Sequence, residues 1–332
     1  MRFFKGLLVA ALVIAIIYLL GPRPARPLFA HELPTVPAAP AQLENYVAQE
    51  EARHKLKPDN EARIVWANDS LKQQTEYAIV YLHGFSASQE EGHPVHRDIA
   101  AKFRCNLYLS RLAEHGIDTV DALVNMTADN LWQSAERAYA IGKQLGKKVI
   151  LMGTSTGGTL ALQLAAAYPE VAGLVLYSPN IAINDKNAWL LNNPWGLQIA
   201  RLVKGSPYNV AKNNAPEYKQ YWNWQYRLEG AVQLQELLEM EMKPEIFARV
   251  KQPVLTLYYY KDEQHQDPVV KVSAMKDMMA ALGTPASQKR MIPVPNAGSH
   301  VMASPIQSKD IVTVEQQTAA FLQQIMGLTP LK

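Results

Sequence analysis

The hexapeptide Gly153-Thr154-Ser155-Thr156-Gly157-Gly158 constrains this chain most, because of what stands on either side of it. Before it runs KVILM, a short apolar stretch that suits a strand buried on both faces. After it runs TLALQLAAAY, an Ala/Leu-rich helix stopped by Pro169. A strand that turns straight into a helix through Gly-x-Ser-x-Gly presents its serine on a tight bend, where bulky neighbours would collide. The helix start also brings backbone N–H groups and a positive dipole end to the same place. The bare pentapeptide is a weak signal, but the bracketing strand and helix make it specific. A phosphate-binding loop would need a lysine after its last glycine, and Thr159 stands there instead.

The same rhythm extends along the chain. Strand-like runs are predicted at 62–67, 77–82, 105–109, 148–152, 171–177, 253–260 and 289–294, with helical patterns at 94–103, 128–145, 160–168, 269–282 and 311–326. Such alternation predicts a mostly parallel sheet covered by helices. It lapses over residues 181–250, a stretch containing Trp189, Trp195, Tyr218, Tyr221, Trp222, Trp224 and Tyr226. An aromatic insertion between two sheet strands is expected to form a lid over a site at the strand ends, although some of these rings would only hold the insertion together.

With 332 residues, 48% hydrophobic and 19% charged, the chain has the composition of an ordinary globular protein. A net charge of +3 gives no case for a nucleic-acid partner, which would need a clustered basic face. Cys105 is the only cysteine, which excludes an internal disulfide and a cysteine-rich metal site.

The first 21 residues differ in kind. Arg2 and Lys5 precede the run GLLVAALVIAIIYLLG, and Arg23 and Arg26 follow it. This is the pattern of a secretory leader. No small-x-small pair closes the run, so an uncleaved signal anchor is expected, with a cleaved signal peptide as the alternative. The catalytic domain would then face the periplasm or exterior, membrane-anchored in the first case and secreted in the second. Residues 22–58 read as a proline-rich tether and linker, and 59–328 as the domain.

A serine hydroxyl needs a base. His300, in Pro295-Asn296-Ala297-Gly298-Ser299-His300 between the last predicted strand and helix, satisfies the serine–acid–histidine chain order that goes with this elbow. His93 and His96 are expected to be solvated loop histidines, and His83 to make a structural hydrogen bond. The acid should follow the PVLTLYYY strand, where Asp262, Glu263 and Asp267 compete; Asp267 is favoured and Asp262 is the alternative. His83-Gly84-Phe85-Ser86 follows the YAIVYL strand, which makes the N–H groups of Phe85 and Thr156 the expected oxyanion donors.

HGF after one strand, GTSTGG after another, DPVV in a late loop and AGSH near the end resemble the bacterial carboxylesterase and monoacylglycerol lipase-like group of α/β hydrolases, over residues 60–328. The resemblance implies an α/β-hydrolase fold, with a mainly parallel eight-stranded sheet, helices on both faces and an inserted helical lid. It implies carboxylic-ester hydrolysis through an acyl-enzyme on Ser155, without metal or organic cofactor. The expected partner is a small-molecule or lipid-like ester, with the membrane met only through the N-terminal segment and no obligate protein partner. A thioesterase or acyltransferase with the same three residues, or a non-catalytic binding module on this fold, are the alternatives. The stretch between Asp262 and Asp267 is longer than the usual acid loop of this group, which leaves the acid open.

Overall fold

The computed structural model describes residues 2–331. Helices α1 (Arg2–Leu19) and α2 (Pro40–Glu51) come first, followed by strands β1 (Arg63–Val65) and β2 (Thr75–Leu82). Then come α3 (Val95–Lys102), β3 (Asn106–Leu109), α4 (Ala128–Leu145), β4 (Gly146–Thr154), α5 (Thr156–Ala167) and β5 (Gly173–Tyr177). The insertion contributes α6 (Gly196–Lys204), β6 (Tyr208–Val210), α7 (Pro216–Tyr221), β7 (Gln225–Arg227), α8 (Leu228–Glu241) and the single turn α9 (Pro244–Phe247). Strand β8 (Val254–Tyr258), α10 (Val272–Ala281), β9 (Lys289–Pro293) and α11 (Ile311–Gln324) complete the chain.

Among the described residues the main sheet has seven strands in the order β1-β3-β2-β4-β5-β8-β9, all parallel except β1. Its central strands are buried on both faces, which is why they read as unbroken apolar runs. One face is covered by α4, α5 and α10, with α8 packed outside α4, and the other by α3 and α11. The fold is therefore the expected α/β-hydrolase arrangement with one strand fewer than the eight that the resemblance implied. The chain ahead of β1 forms α2 and extended arm rather than another edge strand.

Two expectations about the N-terminal region change. Residues 22–58 are not a free tether. Phe29, Val36, Leu43 and Val47 are buried in the core beside α4, and Asp129 Oδ1 accepts the N–H groups of Leu28 and Phe29. Nor is a membrane-spanning anchor supported: among the described residues no helix is long and apolar enough to cross a membrane. The 18 residues of α1 reach about 27 Å at ~1.5 Å per residue, short of a hydrocarbon core of ~30 Å.

Candidate active site

Ser155 joins β4 directly to α5, with φ +52° and ψ −117°. A residue with a side chain is rarely found there, and holding it costs on the order of 1–3 kcal/mol. The surroundings over-determine it. Its N–H donates to the Tyr177 carbonyl (2.9 Å), and its own carbonyl accepts from Gly158, Thr159 and Asn180. Small neighbours are required because a methyl on Gly157 would collide with the Leu82 carbonyl and one on Gly153 with the Gly157 carbonyl. The bend is thus pressed against the end of β2, which brings the HGF loop beside it. A Cβ added to Gly84 would stand 3.0 Å from the Ser155 Cβ.

That loop is shaped by His83. Leu112 donates its N–H to His83 Nε2 (3.0 Å), which leaves the ring proton on Nδ1, where it donates to the Gly84 carbonyl (2.9 Å). Burial lowers the imidazole pKa to about 4, so the ring is neutral and structural, as expected from its position. Among the described residues neither the Phe85 nor the Thr156 N–H is used in a hydrogen bond. His96, expected in solvent, is buried instead, with its ring against Tyr81 and its Nε2 bonded to the Gln89 carbonyl.

The Asp262–Asp267 stretch resolves into an outward excursion. Tyr260 bridges Gln266, and the residues between them form a turn closed by Lys261 and His265. Asp262 sits at its exposed tip and bonds the N–H and Nδ1 of His265. Asp267 lies where the chain returns. It is 1% exposed, its Oδ1 accepts from Val269 (2.9 Å) and Val270 (3.1 Å), and its Oδ2 meets His300 Nδ1 at 2.7 Å. Of the two candidate carboxylates, Asp267 therefore faces His300 and Asp262 does not. Burial pushes the Asp267 carboxyl upward, but the charge and hydrogen bond of His300 and the two backbone donors hold it below the usual carboxylate range. Burial likewise opposes charging of His300; the Asp267 carboxylate outweighs it, Glu91 adds to the effect, and the imidazole pKa is raised.

His300 Nε2 is buried and without a partner. It opens, with Ser155, Phe85 and Glu91, onto a cavity of about 690 Å3. The far walls come from the insertion: Leu191, Ile199, Val203, Leu228 and Leu234 are apolar, and Tyr218, Trp222 and Tyr226 form an aromatic side. The remaining aromatics do other work. Tyr221 bonds Asp59, Lys219 lies over Trp224, and Trp189 and Trp195 are exposed. Glu91 escaped the sequence reading. It lies in the polar stretch SASQEEGHP, where nothing marks one of two adjacent glutamates for burial.

Comparison with known proteins bears on the family and the fold. The profile of the family described as serine aminopeptidase, S33, matches residues 125–296, just over half the chain. The chain belongs to the serine aminopeptidase S33 family of α/β hydrolases. The matched stretch contains Ser155 and Asp267 and ends before His300. This S33-family chain is 32% identical over 98 residues to a thermostable monoacylglycerol lipase of Bacillus sp. (strain H-257), over 29% of its own length and 38% of that enzyme's. Three solved structures share its fold. One belongs to a study of two metagenome-derived lipolytic enzymes (TM-score 0.65, 17% identity, 81% of this chain and 100% of that one). Another is a soluble variant of monoglyceride lipase from Saccharomyces cerevisiae with a substrate analogue (0.60, 13%, 80% and 91%). The third is a monoacylglycerol lipase of Paleococcus ferrophilus (0.58, 14%, 80% and 99%).

Proposed function

We propose that this protein is a serine hydrolase of carboxylic esters that works through an acyl-enzyme on Ser155. One observation carries the reading. A buried imidazole, held at Nδ1 by Asp267, offers an unpartnered Nε2 to the cavity that Ser155 also lines. In this mechanism Ser155 Oγ attacks the ester carbonyl while His300 Nε2 takes its proton. The Phe85 and Thr156 N–H groups receive the oxyanion, and His300 protonates the departing alcohol. Water, activated by the same imidazole, then releases the acid. Asp267 keeps the Nδ1–H tautomer and supports the imidazolium without itself taking the proton.

The apolar, partly aromatic cavity favours an ester with an extended acyl chain, and the lipases among the similar proteins support a lipid-like substrate. The positively charged start and apolar run at the N-terminus support export of the domain; recovery only from the cytoplasm would refute that part. Labelling with a fluorophosphonate probe, together with p-nitrophenyl esters of graded chain length, tests the main reading. Ser155 should be the labelled residue, with turnover rising from acetyl to medium-chain esters. Ser155→Ala should lower kcat by roughly 10^4-fold or more. No labelling at Ser155, or near-normal turnover in that variant, overturns it.

A further inference from the structure

Glu91 is a buried carboxyl that the mechanism above does not use. It sits on the short turn Gln89–Gly92 between β2 and α3, 2% exposed, and its Oε2 accepts the Gly84 N–H at 2.5 Å. Both carboxylate oxygens lie 2.9 Å from where a Cβ on Gly84 would stand, so the carboxyl, Gly84 and Ser155 are packed against one another. Gly84 has no side chain to restrict its backbone, so its orientation must be imposed from outside. Its N–H is taken by Glu91. Its carbonyl is taken by His83 Nδ1 and by the Ala87 N–H (3.2 Å). In a planar trans peptide the Gly84 carbonyl and the Phe85 N–H point in opposite directions. Fixing both ends of Gly84 therefore fixes where the Phe85 N–H points. The titratable groups set around Glu91 are Tyr81 of β2, His83 before Gly84, Tyr218 of α7, His300 of the loop after β9 and, along its own turn and the start of α3, Glu90, His93 and His96, with Trp222 beside them. Burial keeps His83 and His96 neutral, and His300 is the cation that acts on the Glu91 charge.

Resting on the reading of Ser155 as nucleophile, we propose that Glu91 is a positioning residue for that reaction: it holds the peptide that aims the Phe85 N–H at the oxyanion, and its negative charge supports protonation of His300 in the cavity that both line. Burial raises the Glu91 carboxyl to about 7, against the lowering effects of the Gly84 N–H, of His300 and of Trp222. Its charge is therefore gained as the pH rises through about 7.

Two variants separate the roles. Glu91→Gln keeps an oxygen to accept the Gly84 N–H and removes the charge; Glu91→Ala removes both. Wild type and variants are compared by kcat and KM across pH and by the rate of fluorophosphonate labelling. Glu91→Ala should lose about 10- to 100-fold in kcat and in labelling rate with KM little changed, somewhat less than deletion of an oxyanion donor. Glu91→Gln should lose less, and its acid limb should move down by ~0.5 pH unit or more as the supporting charge disappears. Should Glu91→Ala fail to fold, the pH profile of Glu91→Gln still decides. A Glu91→Gln profile superimposed on that of wild type, or a folded Glu91→Ala with wild-type kcat and only a lower Tm, overturns the proposal. Failure of wild type itself to label at Ser155 would sink the nucleophile assignment first, and this inference with it.

Discussion

Two aspartates five residues apart have opposite surroundings, and a substitution at each turns that difference into numbers. Asp267 is buried against His300, whereas Asp262 is exposed and serves its own turn. Asp267→Asn should leave the imidazole in the wrong tautomer and lower kcat by about 10^4-fold, while Asp262→Asn stays within about twofold. Similar losses in both variants would show that the 2.7 Å contact is not what directs His300. The pH dependence follows from the same pair. A general base must be neutral to act, and His300 is held above its ordinary 6.5, so kcat/KM should fall as pH drops through a value above 6.5. An acid limb centred below 6 would contradict that. The residues of this site were unequally legible. Ser155 and His300 announce themselves by local context and chain order. Asp267 could only be favoured over Asp262, because the Tyr260–Gln266 bridge that throws Asp262 outward is not written in residue types. Glu91 carried no signal, since its meaning comes wholly from the fold around Gly84.

At the scale of elements, the sheet was legible because its inner strands are apolar on both faces, and the insertion because it breaks their rhythm. The small ribbon of β6 and β7 was not, since three-residue strands with intermediate exposure leave no period. How the insertion is fastened was equally hidden. The carbonyls of Lys219 and Trp222 at the end of α7 accept from Lys57 Nζ at 3.0 and 2.8 Å, and the Gln220 carbonyl accepts from Asn60. Tyr218 and Trp222, which wall the cavity, are thus tied to a segment more than 150 residues away in sequence. Lys57→Ala would leave two carbonyls without their donor, a local cost on the order of 1–3 kcal/mol. Proteolytic cutting within residues 211–223 should therefore quicken, and KM for a long-chain ester should rise more than kcat changes. Cutting as slow as in the wild type would mean that the Lys57 contacts do not hold this wall.

For the molecule as a whole, the N-terminal forty residues divide into two parts with different physics. After Lys5, helix α1 is apolar on every side and exposed; it meets the domain where Trp195 Nε1 donates to the Ile17 carbonyl and the Trp195 N–H to Pro22. The arm that follows is woven into the core. Phe29 and Val36 are buried, Trp132 donates its indole N–H to the Ala30 carbonyl, and Phe29 and Trp132 pack edge to face. A chain starting at Pro22 should therefore melt within about 2 °C of the full chain, because α1 buries almost nothing against the domain. A chain starting at Pro40 additionally loses buried Pro27, Phe29 and Val36, the last two worth about 1.5–3 kcal/mol each as an upper figure, and leaves Trp132 uncovered. At roughly 2–4 °C per kcal/mol for a domain of about this size, its Tm should fall by several degrees more. Calorimetry on the two truncations decides between a structural arm and a loose leash. Equal melting would mean that the arm rests on the domain without stabilising it.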